Sequence, residues 1–170
     1  ISATSLGNTV KGLNRDVTIR DIVSTYIYPN TLKTLCVTRA QLKCALERSA
    51  EYFAIDADGK LKVSESFLTP IEQHFNYDYF SGIEAAFDIR RSVGDKVVSI
   101  KYKGEELSGD KRLTLCINNY RASGAGGYDI YRQCQTVREL PTEIAELIIA
   151  YVDKHRNITV DKHKWLKLIY

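Results

Sequence analysis

Asn118-Asn119-Tyr120-Arg121-Ala122-Ser123-Gly124-Ala125-Gly126-Gly127-Tyr128-Asp129-Ile130-Tyr131 is the stretch around which this 170-residue chain is organised. The apolar run before it, Leu113-Thr114-Leu115-Cys116-Ile117, reads as a buried strand. The polar and aromatic residues after it could start a helix. The chain thus leaves a sheet, makes a glycine-rich loop and turns back. Gly124, Gly126 and Gly127 give a backbone that can take positive φ and admit a close neighbour. Tyr120 and Tyr128 flank them, and an aromatic beside an open loop offers a flat ring a stacking face and nearby N–H groups. The competing reading is a tight surface loop with both tyrosines packed on the core.

Upstream of the loop, Ile83, Ala85, Phe87 and Ile89 alternate with Glu84, Ala86 and Asp88, which predicts a half-buried strand. A turn at Gly94-Asp95, a strand over 96–102 and a turn at Gly104-Glu105 continue it as a hairpin or meander. Residues 67–80 are aromatic, interrupted by Pro70 and mostly non-periodic, the kind of irregular segment that often carries function. Thr38 with Gln41 makes a capping box. Leu42, Ala45, Leu46, Ala50 and Phe53 then mark one face of a helix running to about Phe53, preceded by a strand over 32–37. Asp56-Ala57-Asp58-Gly59 is a polar turn; its glycine comes too early for a calcium loop and no closing glutamate follows.

At the start of the chain, residues 1–16 read as irregular. Thr18 caps a short helix, with Asp21 three residues on and Ile19, Ile22, Val23 and Tyr26 on one face. Tyr28-Pro29-Asn30-Thr31 ends that helix in a turn. Downstream of the loop, Pro141 opens a helix whose stripe is Ile144, Leu147, Ile148, Tyr151 and Val152, and Asn157 ends it. Trp165 is expected to be buried. Helix, strand, helix, several strands and a last helix make the chain α+β, with helices covering a mixed or mainly antiparallel sheet.

With 44% apolar and 26% charged residues, the chain reads as one domain with a real core. A small net charge of +3 and the lack of a basic run argue against nucleic acid or a membrane surface as partner. No apolar stretch reaches the roughly 18 residues of a spanning helix. The chain begins at Ile1, as an excised or processed piece of a longer protein would. Cys36, Cys44, Cys116 and Cys134 form no C-x-x-C pair, and His74, His155 and His163 follow no metal-ligand spacing. Cys36 and Cys116 fall in predicted strands as small apolar residues; a disulfide stays open, and with it the redox compartment.

No catalytic set is legible: there is no G-x-S-x-G, H-E-x-x-H or Walker loop. Ser123 as a nucleophile would need a positioned histidine, for which His74 is the one candidate; a lone loop serine is more often a hydrogen-bonding residue. Asp78, Glu84 and Asp88 lie on or beside one strand and read as solvated charges. What remains is a binding surface. Tyr28 follows a helix at a proline turn and Tyr120 follows a strand, both at element ends, where ligand contacts gather. Two aromatics across a gap would sandwich a planar base, at about 1–3 kcal/mol per base and with tolerance for any base.

The Asn119 to Tyr128 stretch resembles the substrate loop in the C-terminal domain of the 5′-nucleotidase family, and within it the branch of bifunctional 2′,3′-cyclic-nucleotide 2′-phosphodiesterase/3′-nucleotidases. The resemblance extends along nearly the whole chain. It includes Tyr26-Ile27-Tyr28-Pro29-Asn30-Thr31-Leu32, Val37-Thr38-Arg39-Ala40-Gln41-Leu42-Lys43, Phe75-Asn76-Tyr77-Asp78 with Ser81-Gly82-Ile83, and the closing helix with Trp165. It implies a layered α/β sandwich: one C-terminal domain over residues 1–170, cut from a longer chain whose N-terminal metallophosphoesterase domain is absent. It further implies that Tyr28 and Tyr120 hold the nucleobase, and that Asn119 and Ser123 support the loop or the sugar. Gly124 and Gly126 belong to the substrate loop, and Asp78 is a further candidate. An aspartate that binds ribose hydroxyls in the 5′-nucleotidase branch falls at Gly126 here, which favours the cyclic-phosphodiesterase branch.

By the same resemblance, two divalent metal ions would sit in the missing N-terminal domain and activate water there. This chain is expected to have no catalytic residue, metal or cofactor of its own and to be inactive alone. It would present a nucleoside or nucleotide to that domain in cis by rotation of one domain against the other. Neither a nucleic-acid polymer nor insertion in a membrane is expected. The implied location is periplasmic, secreted or attached to the cell wall, and the four cysteines leave a cytoplasmic parent open. The alternatives are a 5′-nucleotidase or UDP-sugar hydrolase domain, and a stand-alone nucleoside- or protein-binding module without catalysis.

Overall fold

Leu35 and Val37 on one strand and Leu113, Leu115 and Ile117 on another are buried at every second position, and the two strands pair antiparallel through these residues. A computed structural model, which describes residues 1–5, 7 and 12–170, builds the fold around this pair. The elements in order are β1 (Ser2–Ser5), α1 (Ile19–Thr25), β2 (Thr31–Thr38), α2 (Arg39–Ala50), β3 (Phe53–Ile55), β4 (Leu61–Val63), β5 (Asp78–Ser81) and β6 (Glu84–Asp88). There follow β7 (Val97–Tyr102), β8 (Glu105–Glu106), β9 (Arg112–Asn118), α3 (Asn119–Ala122), β10 (Gln135–Glu143), α4 (Ile144–His155) and β11 (Leu166–Ile169).

The strands form a five-stranded sheet in the order β10-β2-β9-β1-β5, a four-stranded sheet β11-β6-β7-β8, and the hairpin β3-β4. Pairing is antiparallel except for β1 with β9 and β6 with β11, so the fold is mixed α+β as expected. One contiguous core joins the inward residues of β2 and β9 to Leu42, Ala45, Leu46 and Ala50 of α2 and to Ala85, Phe87, Val97 and Ile100 of β6 and β7. Tyr52, Phe67 and Tyr77 make a smaller aromatic cluster beside it. The buried Glu47 carboxylate of α2 accepts from the N–H groups of Lys96 and Val97, both at 2.9 Å, and so docks the helix on β7.

Both capping boxes form as the sequence predicts. Thr18 and Asp21 exchange bonds at the start of α1, and Thr38 and Gln41 do so at the start of α2. The alternation over 83–89 becomes β6 with its flanks, and β7 and β8 complete the meander. Asp56 Oδ1 accepts from the N–H groups of Asp58 and Lys60, which makes the polar turn the tip of the β3-β4 hairpin.

Four expectations are corrected. Helix α2 ends at Ala50 rather than at about Phe53, which instead opens β3. Ser2–Ser5 is a strand, not irregular chain: it is recruited between β9 and β5 by tertiary pairing, which overrides a local sequence with little strand signal of its own. Residues 6 and 8–11 of the same stretch lie outside the described residues. Pro141 does not open a helix; it lies in β10, at a register shift between Leu140 and Glu143 on an edge strand, where a missing N–H breaks no ladder bond. Helix α4 starts at Ile144, whose N–H donates to Asn30 O at 2.8 Å, and ends at His155, ahead of Asn157. Trp165 is half-buried rather than buried. All four cysteines are free.

Candidate functional site

The antiparallel register places Leu32 of β2 opposite Asn118 of β9. The turn that precedes β2, carrying Tyr28, and the turn that follows β9, carrying Tyr120, therefore meet at one end of the sheet. Asn118 caps the short helix α3 by accepting from Arg121 N at 2.6 Å. Asn119 reaches across to the other turn: its Oδ1 accepts from Thr31 N at 3.0 Å, a bond between residues 88 apart in the chain. Ser123 Oγ donates to Tyr120 O at 2.7 Å and closes the turn under that tyrosine.

The two tyrosines flanking the glycines part company. Tyr120 is 49% exposed, and Tyr28 at the neighbouring turn is 69% exposed. Tyr128 is 1% exposed and stacks on Tyr131 at 5.7 Å with an interplanar angle of 5°. Its hydroxyl shares a 2.7 Å bond with Ser49 Oγ, accepts from Asp78 N at 3.1 Å and donates to Asn76 O at 3.3 Å. Burial pushes the Tyr128 phenol well above its ordinary value, and the nearby Asp78 carboxylate adds to this. Each of the two sequence readings thus describes one tyrosine: an open ring at 120 and a core-packed ring at 128.

An arginine side chain lies against each of these glycines. A Cβ on Gly124 would stand 2.5 Å from Arg132 Nε, and one on Gly127 would stand 2.6 Å from Arg48 Nε. A Cβ on Gly126 would overlap the Arg121 guanidinium and stand 2.5 Å from Asn76 Oδ1. All three glycines have positive φ. The loop carbonyls turn toward these cations: Arg132 Nε donates to Ser123 O (2.8 Å), Arg121 Nη1 to Ala125 O (2.6 Å) and Arg48 Nε to Gly126 O (3.0 Å).

Arg121 is the centre of this arrangement. Its Nε donates to Asp78 Oδ2 at 2.9 Å and its Nη2 to Asp78 Oδ1 at 2.8 Å, while Nη2 also donates to Phe75 O at 2.7 Å. The guanidinium lies 4.4 Å from the centroid of the Tyr128 ring. Asp78, read from sequence as a solvated charge, is instead buried, paired with Arg121, which arrives with the glycine loop. Burial pushes its carboxyl up, and the charge and paired hydrogen bonds of Arg121 pull against that shift.

Sequence reasoning missed Arg121, Arg48 and Arg132. Their one signal was indirect: three glycines too close together to be explained by a single turn. The other candidates are not brought together. Ser123 is held by Tyr120, whereas His74 Nδ1 shares a 2.7 Å bond with the Tyr52 hydroxyl. Glu84 contacts His163 and Asp88 pairs with Arg90, so neither carboxylate joins Asp78. Among the described residues no group of three or more His, Cys, Asp or Glu side chains is placed to hold a metal ion. No helix of the described residues is long and apolar enough to cross a membrane.

The chain is similar to known proteins over most of its length. The family model for the 5′-nucleotidase C-terminal domain matches residues 1–133. The trifunctional nucleotide phosphoesterase protein YfkN of Bacillus subtilis is 22% identical over 155 residues, covering 84% of this chain and 10% of that protein. A Haemophilus influenzae 2′,3′-cyclic-nucleotide 2′-phosphodiesterase/3′-nucleotidase is 29% identical over 125 residues, covering 64% of this chain and 18% of that protein. Among solved structures, a candidate 5′-nucleotidase of Staphylococcus aureus, crystallised with α-ketoglutarate, superposes with a TM-score of 0.92 at 36% identity, covering 99% of this chain and 33% of that one. The chain spans a tenth to a third of the length of these relatives. With the family model matched over most of its length, the chain belongs to the 5′-nucleotidase C-terminal domain family.

Proposed function

We propose that this chain is the nucleotide-recognition domain of a phosphohydrolase that acts on 2′,3′-cyclic nucleotides and nucleoside monophosphates, and that it holds the nucleobase between Tyr28 and Tyr120. The observation that carries the reading is the bond from Thr31 N to Asn119 Oδ1, which ties together the two turns bearing these exposed tyrosines. A pair of rings fixed at one sheet end by backbone turns loses little freedom on binding, which favours stacking.

In this reading Asn119 and Ser123 hold the turns that aim Tyr28 and Tyr120. Gly124 and Gly126 act by admitting Arg132 and Arg121, and Asp78 acts through Arg121. The 5′-nucleotidase alternative, which needs a carboxylate at position 126 to hold the ribose, is disfavoured: any side chain there meets Arg121 and Asn76. Residues 1–170 would be one C-terminal domain of a longer secreted, periplasmic or wall-attached chain. Two divalent metals held in an N-terminal metallophosphoesterase domain would supply the activated water. The part played by this chain is to bind and orient the nucleoside so that its phosphate points away from the base pocket.

The test is calorimetric titration of the 170-residue chain with adenosine, uridine and adenosine 3′-monophosphate. Binding of both nucleosides, with little gain from the phosphate, is expected. Absence of binding to all three overturns the proposal.

A further inference from the structure

The net charge of +3 is not spread evenly along the chain. Residues 154–170 carry Lys154, Arg156, Lys162, Lys164 and Lys167 against a single carboxylate, Asp161, for a net +4, which leaves residues 1–153 at −1 (19 basic, 20 acidic). The cations are interleaved with other residues, so no basic run is visible in the sequence. This surface also lies wholly beyond residue 133, where the family match ends.

The structure presents these cations openly and on a fixed frame. Every residue from 155 to 164 is exposed, and residues 158–165 connect α4 to β11 without regular secondary structure. The segment is nonetheless pinned: Trp165 Nε1 donates to Asp161 Oδ2 at 3.1 Å and His163 N donates to Asp161 Oδ1 at 2.9 Å. The His163 ring lies 4.1 Å from that of Trp165, and its Nε2 lies 3.2 Å from Glu84 Oε1. Arg156 pairs with Asp153 at 2.9 Å. These contacts use up the nearby carboxylates, and among the described residues Lys154, Lys162, Lys164 and Lys167 have no ion-pair partner. Between them Ile158 and Val160 stand 49% and 75% exposed.

We propose that residues 154–167 form a docking surface for an anionic lipid bilayer. The unpaired lysines would face the phosphate headgroups, with their aliphatic stems lying along the interface. Ile158 and Val160 would settle at headgroup level, where their exposure to water ends. A single-stranded nucleic acid fits less well. The one indole of the segment is taken up by His163 and Asp161 and the exposed His155 ring lies 4.3 Å from that of Tyr151, so each ring within 154–167 already has a ring neighbour, and exposed aliphatic side chains bring nothing to a phosphate backbone. The contact adsorbs the domain without inserting a helix.

Co-sedimentation of the full chain with vesicles tests this, using phosphatidylcholine alone, phosphatidylcholine with about a third phosphatidylglycerol, and a single-stranded oligonucleotide as competitor. Binding to the anionic vesicles should exceed binding to the neutral ones by about tenfold or more and should fall away at ~0.5 M salt. The combined variant Lys162→Gln, Lys164→Gln, Lys167→Gln should bring anionic binding close to the neutral level while thermal stability is unchanged, since all three side chains are exposed. Ile158→Ser with Val160→Ser should weaken vesicle binding but leave binding of soluble polyphosphate as it was. Equal binding to both vesicle types, no effect of the lysine variant, or displacement from vesicles by sub-stoichiometric oligonucleotide would each overturn the proposal.

Discussion

Asp78 and Arg121, each 2% exposed, form a two-pronged ion pair beneath the glycine loop. The pair ties the first residue of β5 to the helical turn that carries Tyr120. Taking both charges out of water is costly, and removing one partner leaves the other stranded. Asp78→Asn or Arg121→Met should therefore cost about 3–5 kcal/mol of stability each. The double variant Asp78→Leu, Arg121→Met should recover much of that loss, because an apolar pair of similar volume leaves no charge buried. Urea denaturation of the three variants checks this, and additive losses in the double variant would show that the ion pair is not the unit that matters.

Gly126 lies against the same guanidinium. A side chain there meets Arg121 and Asn76 in a backbone conformation with φ of +74°, which L residues adopt with strain. Gly126→Ala and Gly126→Asp should each lower stability by at least about 1–2 kcal/mol from the backbone term alone. Any displacement of Arg121 from Asp78 would add to the loss. If Gly126→Asp instead melts at the wild-type temperature, the loop has room that the Arg121 contact denies.

Where local patterns decide structure, the sequence was legible. The Thr18/Asp21 and Thr38/Gln41 boxes and the alternation over 83–89 depend on neighbours within a few residues, and all three form. What escaped reading depends on distant partners. Ser2–Ser5 is a strand only because β9 and β5 flank it, and Pro141 is tolerated only because β10 is an edge. Asp78 is buried in a pair with Arg121, which arrives from 43 residues away. At the site, Tyr120 and Tyr128 sit in equivalent sequence surroundings beside the same glycines; packing of Tyr128 against Tyr131 and Ser49 is what separates an open ring from a core ring.

Four tyrosines respond to alkali in a defined order. Burial raises the phenols of Tyr52, Tyr77, Tyr128 and Tyr131 above the ordinary value of 10.0, with neighbouring carboxylates adding to the shift. Their neutral forms are held in the folded state, so this contribution is complete below pH 10.0 and is lost as pH rises above it, where the unfolded chain ionises first. Part of the tyrosinate absorbance should therefore appear only well above pH 10.0, as the buried group ionises together with loss of near-ultraviolet dichroism. A single smooth titration of all eleven tyrosines with the fold intact would contradict the burial of Tyr128 and Tyr131.

The two rings assigned to the base should behave unlike their buried neighbour. Tyr28→Ala and Tyr120→Ala remove exposed side chains, so their stability should change little, while adenosine binding should weaken by about 1–3 kcal/mol in each. Tyr128→Ala deletes a core ring and its hydroxyl network, and should cost about 3–5 kcal/mol of stability. Tyr28→Phe and Tyr120→Phe keep the stacking face and should bind adenosine nearly as the wild type does. Paired calorimetric and thermal-melting measurements separate these outcomes. Loss of binding in the Phe variants would move recognition from the ring face to the phenol hydroxyl, and unchanged binding in both Ala variants would place the base elsewhere on the domain.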